Sequence, residues 1–127
     1  MNATQAKELL LPIAKEDFLK DTFTNGVDKC CAVGHLVRLT SDKPSDYTHE
    51  NCSDLDFNTF LDIGVREGAE DVYDFARTKT NKFLLEKYDE DGNLADVNNG
   101  DFINGYNQEE PKDRVIALLD DMIKSGY

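Results

Sequence analysis

The chain has 127 residues, a length that fits one domain over residues 1–127 with a single hydrophobic core. Hydrophobic residues make up 39% of it, charged residues make up 31%, and 26 acidic against 14 basic side chains give a formal net charge of −12 at pH 7. Because so negative a surface repels nucleic-acid phosphates and anionic lipids, we expect no direct nucleic-acid binding and no membrane binding, and we expect a protein partner to be basic.

The cysteine content points to a reducing compartment. Three cysteines, an odd number, do not form a disulfide framework, and a bridge between the adjacent Cys30 and Cys31 would be strained. No apolar run approaches the roughly 18 residues of a membrane span, and the amino-terminal residues lack the pattern of a secretory signal. The sequence therefore predicts a cytoplasmic location.

The first segment predicts a helix that is interrupted early. Asn2 or Thr4 is a suitable N-cap, and Leu10 and Ile13 fall on one apolar face. Pro12 removes an internal hydrogen bond, so we expect a kink or two short helices rather than one straight helix.

A second helix is predicted from Asp28, a good N-cap, to about Thr40. Its side chains are apolar almost all round, which is typical of a central helix. Gly34 costs about 1 kcal/mol relative to alanine in mid-helix and indicates the close approach of another element. A polar loop over residues 41–53 follows.

Two further helices are predicted after this loop. The third begins at Ser53 or Asp54 and ends at Gly68, and residues 70–77 predict a short fourth helix.

The carboxyl-terminal third combines one ambiguous segment with one clear helix. Residues 83–97 hold two apolar runs around an Asp-Gly pair and resemble a β-hairpin, although the first run is equally compatible with the end of a helix. Residues 98–108, rich in asparagine and glycine, predict a loop. Residues 111–124 have proline at the first helical position and apolar residues at helical spacing. The predicted fold class is mainly α (α+β): a compact single-domain bundle of four or five short helices, with at most one small hairpin near residues 83–97.

The segment DKCCAVGHLVRL, residues 28–39, carries the first candidate site. A thiol at a helix N-terminus is acidified by unpaired backbone amides, so Cys30 or Cys31 could act as a nucleophile. The base would be His35 or His49, oriented by an asparagine at 98–99. His35 lies one turn from Cys31 and is poorly placed, which leaves His49. Because buried unreactive thiols are commoner, we predict no catalytic residue and keep Cys30, Cys31 and His49 as the alternative.

The second candidate is a zinc site. Cys31 and His35 lie on one helical face, and His49 and Cys52 form a second pair, so four ligands of the right kind are present. Their order and spacing match no zinc module, so we predict neither a metal nor another cofactor and keep these four residues as the alternative.

The third candidate is an acidic surface, formed by two groups of carboxylates. A solvated face that keeps the protein soluble explains such a pattern equally well. Arrays of this kind can also occupy phosphate-binding grooves, because lysines and arginines respond to the same field. The predicted partner-binding residues are Asp54, Asp56, Asp62, Glu67, Glu70, Asp71, Asp74, Glu86, Asp89, Glu90 and Asp91.

Two segments resemble a small uncharacterised family of phage and bacterial proteins, a domain of unknown function. CAVGHL at 31–36 is similar to its Cys-Ala-Leu-Gly-Ala-Leu helix, residues 98–99 to its Asn-Asp loop, and KDRVIALLDDMI at 112–123 to its amphipathic carboxyl-terminal helix. The chain departs from that pattern at His35, at Val97 in place of a tryptophan, and in a longer stretch before the last helix. The resemblance implies a compact, mostly helical domain, encoded by a phage, with no established activity.

We therefore expect a small, acidic, non-enzymatic binding protein that acts through protein–protein contacts. For a phage protein, the expected role is inhibition of a basic or nucleic-acid-binding host or defence protein by charge mimicry. The alternatives are a cysteine-dependent hydrolase or transferase that uses Cys30 or Cys31 with His49, and a zinc-stabilised module.

Overall fold

The structure, a computed structural model, describes residues 1–20, 29–40, 70–102 and 105–127 and is mainly helical there. The predicted third helix and its cap at Ser53 or Asp54 lie outside these residues. The helices are α1 (Ala3–Leu10), α2 (Ala32–Thr40), α3 (Glu70–Tyr73), α4 (Thr80–Tyr88), α5 (Leu94–Asn99) and α6 (Pro111–Lys124). A 3₁₀ turn covers Lys15–Asp17, and a π-helical segment covers Asp74–Lys79. No described helix has both the length and the apolar character needed to cross a membrane.

Helix α1 begins and ends where its sequence dictates. The Asn2 side chain accepts a hydrogen bond from the backbone of Gln5, and the Gln5 side chain accepts one from the backbone of Asn2, which forms a capping box. The helix ends at Leu10, immediately before the turn that contains Pro12, so the predicted interruption is confirmed. Lys112 of α6 donates to the carbonyl of Leu11 at 2.7 Å and also satisfies the carbonyl of Ile13.

Helix α2 occupies the centre of the described part, as predicted. Every residue from Ala32 to Val37 is buried, and the helix packs on α1, α5 and α6. It begins at Ala32, later than the predicted start directly after Asp28. Asp28 itself lies outside the described residues. An isolated parallel bridge between Phe18 and Cys30 joins its entrance to the segment after the 3₁₀ turn.

The predicted hairpin over residues 83–97 is wrong. Helix α3, the π-helical segment and α4 follow one another without a break and form one composite helix over residues 70–88. Its final part buries Phe83 and Leu84, so the first apolar run completes a helix, the alternative that the sequence left open. The second run forms α5, because Asn93 and Asp96 make a capping box that turns the chain into a helix.

The predicted loop over residues 98–108 is wrong at its start. Asn98 and Asn99 complete α5, which ends at Gly100 with a left-handed backbone, φ 78°. Helix α6 confirms the prediction for residues 111–124, with Pro111 in the first turn and apolar side chains directed into the core. The core is shared by all the helices and includes Ala6, Leu10, Leu36, Val72, Phe75, Leu84, Leu94, Val97, Leu118, Leu119 and Met122.

Candidate functional site

The cysteine pair lies in the core. Cys30 is fully buried and Cys31 is 3% exposed. The Cys31 sulfur accepts a hydrogen bond from the backbone amide of Gly34 at 3.4 Å, in the manner of a capping side chain. Burial outweighs this hydrogen bond and raises the pKa of Cys31 to about 12. A thiol with such a pKa stays protonated at neutral pH, which argues against Cys31 as a nucleophile.

His35 is also part of the packing. Its ring is fully buried and lies 5.0 Å from the ring of Phe18. The Nε2 atom is 2.8 Å from the carbonyl oxygen of Asp17, and Nδ1 is 3.0 Å from the guanidinium of Arg38. The arrangement fits a neutral ring that donates through Nε2 and accepts at Nδ1. Since both nitrogens are engaged, His35 would have to give up one of these partners to bind a metal.

Asn98 joins three segments that are far apart in sequence. Its Oδ1 accepts from the backbone amide of Ala32, the first residue of α2, at 2.9 Å, and its Nδ2 donates to the carbonyl of Leu19 at 2.8 Å. An unpaired amide at the start of α2 would help to acidify Cys31, and Asn98 already occupies it. Asn98 is therefore a cap for α2 and not the orienting residue of a catalytic histidine.

Arg114 binds the carboxyl-terminal turn of α5. The side chain is buried, with 6% exposed, and donates to four backbone carbonyls. Two of them, at Val97 and Asn98, end α5, and the other two, at Gln108 and Glu109, lie in the segment before α6. Within the described ranges no carboxylate forms an ion pair with Arg114, so backbone dipoles alone satisfy a buried cation.

These residues together form a network of buried structural contacts. Nowhere in the described part of the chain do three or more His, Cys, Asp or Glu residues group as metal ligands. His49 and Cys52, the remaining residues of the catalytic and zinc alternatives, lie outside the described residues.

The burial of the cysteines leads to a test of thiol reactivity. With its pKa raised to about 12 by burial, Cys31 is protonated at pH 7, whereas about 3% of an ordinary cysteine is thiolate at that pH. Because Cys30 and Cys31 are both buried, we expect iodoacetamide to modify them at least about tenfold more slowly in the native protein than in the urea-unfolded chain, measured on the tryptic peptide 30–38. Mass spectrometry separates this peptide from the one that carries Cys52. Rapid native labelling of the 30–38 peptide would contradict the packing role.

Eleven acids are predicted to bind a partner. Seven of them lie among the described residues, in the composite helix or just beyond it. The other four, Asp54, Asp56, Asp62 and Glu67, lie outside the described residues. These seven acids form two groups near opposite ends of that helix. We call them the amino-terminal acids (Glu70, Asp71 and Asp74) and the acidic end (Glu86, Asp89, Glu90 and Asp91). The helical rise per residue places the two groups roughly 20 Å from each other. The structure therefore does not bring them together as one row.

The amino-terminal acids have local roles that explain their charge. Glu70 and Asp71 stand in the first turn of α3, where the helix dipole favours negative charge. Asp71 lies 4.0 Å from the amino group of Met1, and Asp74 lies 3.8 Å from Lys79. These exposed pairs contribute little to stability, but they neutralise part of the charge.

The acidic end is different, because its charge opposes the helix dipole. Asp89 is the C-cap residue of α4, where the helix dipole disfavours a carboxylate. It also has φ 53°, the only positive φ of a non-glycine residue among those described. Its side chain is exposed and has no hydrogen bond or ion pair with any described residue. The charge at position 89 therefore costs stability and gains no contact within the described part of the chain.

The nearest base does not neutralise the acidic end. Lys87 forms an ion pair with Asp121 of α6 at 3.0 Å, and its ammonium lies over the rings of Phe83 and Tyr88. Asp121 also accepts from the hydroxyl of Tyr106 at 2.8 Å. Although burial acts to raise it, the pKa of Asp121 is held below its usual value by the hydrogen bonds from Tyr106 and Lys87. Lys87 is thus committed to α6.

Sequence patterns gave no sign of one further feature, a cleft beside the acidic end. It has a volume of about 390 Å³ and lies between the composite helix and the chain that enters α5. The π-helical segment forms part of its wall, and such segments are frequent at functional sites. We call it the polar cleft, and it is lined by Arg77, Thr78, Asn81, Asp91, Gly92, Asn93 and Asp96.

Comparison with known proteins adds no relative. No protein-family model matches the chain, and no curated protein or solved structure is significantly similar to it. The resemblance at residues 31–36 and 112–123 therefore stays a prediction, and the function is inferred below from the described geometry.

Proposed function

We propose that the chain is a non-enzymatic binding protein that recognises a basic protein partner through the acidic end. The observation that carries this proposal is Asp89, an exposed carboxylate in a left-handed conformation at a helix C-terminus with no partner among the described residues. Residues that lower stability without a structural return are typical of functional surfaces.

The distribution of charge supports a compact binding site. Between Asp74 and Glu86 the composite helix has three charged residues, Arg77, Lys79 and Lys82, all of them basic. These bases separate the two groups of acids, so the helix has no continuous row of carboxylates. The charge mimicry that we propose is therefore limited to the acidic end. The acidic end would replace one or two phosphates at a basic site of the partner.

The phage origin implied by the sequence resemblance would make the partner a host or defence protein, and binding at a basic site would inhibit it. The remaining acids can keep the protein soluble while the acidic end binds the partner.

A capture experiment with matched variants tests the proposal. The acidic-end variant carries Glu86→Gln, Asp89→Asn, Glu90→Gln and Asp91→Asn. The control variant carries Glu8→Gln, Glu16→Gln, Asp101→Asn and Glu109→Gln, four exposed acids outside both acidic groups. Each set removes four negative charges and changes the formal net charge from −12 to −8.

We expect a basic protein from nuclease-treated host lysate to be retained by the wild type and by the control variant but not by the acidic-end variant. Its retention should fall as the salt concentration rises. Equal retention by the two variants would contradict the proposal, because net charge alone would then explain the binding.

The cost of Asp89 gives a prediction about stability. Replacing Asp89 by asparagine removes the charge at the C-terminus of α4 and places a residue better suited to the left-handed conformation there. We expect the free energy of unfolding in urea, followed by circular dichroism, to rise by about 0.5–1 kcal/mol.

The matched control is Asp113→Asn, in the first turn of α6, where Asp113 also pairs with Lys15 at 3.0 Å. There the dipole favours the carboxylate, so the free energy of unfolding should fall. A loss of stability in Asp89→Asn would show that the aspartate has a structural role at that position.

A further inference from the structure

We propose that the polar cleft receives one arginine side chain of the basic partner, with Asp91 and Asp96 as its carboxylate acceptors. This inference rests on the proposed function, since the cleft adjoins the acidic end and shares Asp91 with it. It adds a defined subsite and a chemical group to what is otherwise a charged surface.

Hydrogen bonds across the cleft fix its shape. The Thr80 hydroxyl donates to the carbonyl of Ala76 at 2.7 Å and accepts from the amide of Leu94 at 3.1 Å, so it joins the π-helical segment to the start of α5. The amide of Asn81 donates to Asp91 at 2.6 Å and to the carbonyl of Gly92 at 2.8 Å. The cleft is therefore already formed in the free protein.

Gly92 holds the floor of the cleft against the core. A Cβ atom at this position would lie 2.7 Å from Cδ2 of Phe102, so only glycine allows the chain to pass this close. Such packing fixes the backbone at Gly92, the residue that follows Asp91.

Each of the two carboxylates keeps one oxygen without a described partner. Asp91 uses Oδ1 for Asn81, and Asp96 uses Oδ2 for the backbone amide of Asn93. Neither forms an ion pair with any residue in the described ranges. Burial, and to a smaller extent the charges of Asp101 and Asp91, raises the pKa of Asp96 against the lowering effect of the Asn93 hydrogen bond.

Among the described residues that line the cleft, Arg77 is the only base, and its guanidinium contacts Tyr73. Arg77 donates to the hydroxyl of Tyr73 at 2.8 Å, and its guanidinium lies 5.8 Å from the centre of that ring. Within the described part of the chain, therefore, no base forms an ion pair with the two carboxylates of the cleft.

A guanidinium suits this arrangement better than other cations. Its planar group presents five donors, and the cleft offers two carboxylates together with the hydroxyl of Thr78. An ammonium would use fewer of these acceptors. A metal ion would lack ligands, because no group of three potential ligating side chains occurs in the described part of the chain.

Nuclear magnetic resonance titration of the full chain with N-acetyl-arginine methylamide tests the inference. At low ionic strength we expect saturable shifts of the Thr78, Gly92 and Asn93 amide signals, with a dissociation constant on the order of millimolar. The variant Asp91→Asn/Asp96→Asn keeps the acceptors for Asn81 and Asn93 and should bind at least about tenfold more weakly. The control Glu16→Gln/Glu109→Gln removes the same charge at two exposed acids outside the cleft and should change the affinity less than about twofold.

The lysine analogue of the probe should bind more weakly than the arginine probe. Shifts that do not saturate, or equal affinity in the cleft variant and its control, would overturn the inference. Asp96→Asn separates it from the proposed function, because Asp96 belongs to the cleft but not to the acidic end. A captured partner that loses affinity for the acidic-end variant but binds Asp96→Asn as tightly as the wild type would refute the arginine subsite alone.

Discussion

Replacing Arg114 by methionine is expected to lower the free energy of unfolding by about 3–5 kcal/mol. The substitution keeps much of the side-chain stem but removes the donors for four backbone carbonyls, of which those of Val97 and Asn98 are bound by buried hydrogen bonds. Each buried carbonyl left without a donor costs about 1–3 kcal/mol. Urea unfolding followed by circular dichroism is the suitable measurement, because the chain has no tryptophan.

Lys112→Met is the matched control. Lys112 also donates to two backbone carbonyls, but these lie nearer the surface, where water can replace the ammonium. We expect this variant to lose about 1 kcal/mol or less. Similar losses in the two variants would mean that burial of the Arg114 network has little energetic weight.

Replacing Asn98 by leucine is expected to cost about 2–4 kcal/mol. The change leaves the first amide of α2 and the carbonyl of Leu19 unsatisfied in the interior. Asn98→Asp, which keeps an acceptor for Ala32, should not restore stability at pH 7, because it places a buried charge against the Leu19 carbonyl. As the protein is brought to lower pH, protonation of that aspartate should recover part of the loss.

Asn107→Leu is the control for this pair, since Asn107 is exposed and forms no hydrogen bond with the described residues. Its effect should be within about 0.5 kcal/mol. A stable Asn98→Leu variant would show that α2 does not depend on the cap from α5.

Local signals in the sequence predicted the helices that depend on local interactions. Helix α6 has proline in its first turn and apolar residues at helical spacing, and α1 has both a cap and a proline that ends it. The first part of the composite helix, residues 70–77, was predicted, but its continuation to Tyr88 was missed because polar residues over 77–79 interrupt the apolar pattern within the π-helical segment. The Asn93–Asp96 capping box was a readable signal for α5, but the neighbouring Asp-Gly pair favoured a turn.

The roles of Asn98 and Arg114 were not predictable in the same way. Asn98 is 66 residues from Ala32, and nothing in its own neighbourhood indicates a cap for α2. The acidic end was recognised from its composition, whereas the polar cleft depends on the position of α5 against the composite helix. Pairing between distant segments is set by packing, which a single sequence reveals poorly.

We propose that the acidic end, and not the net charge of the chain, binds a basic partner. The most direct test is the dissociation constant of the captured partner for the acidic-end variant and for the control variant, which have the same formal charge, by isothermal titration calorimetry at low and physiological salt. We predict at least about tenfold weaker binding for the acidic-end variant and less than about twofold for the control. Equal dissociation constants for the two variants would contradict binding through the acidic end, because the net charge would then explain the affinity.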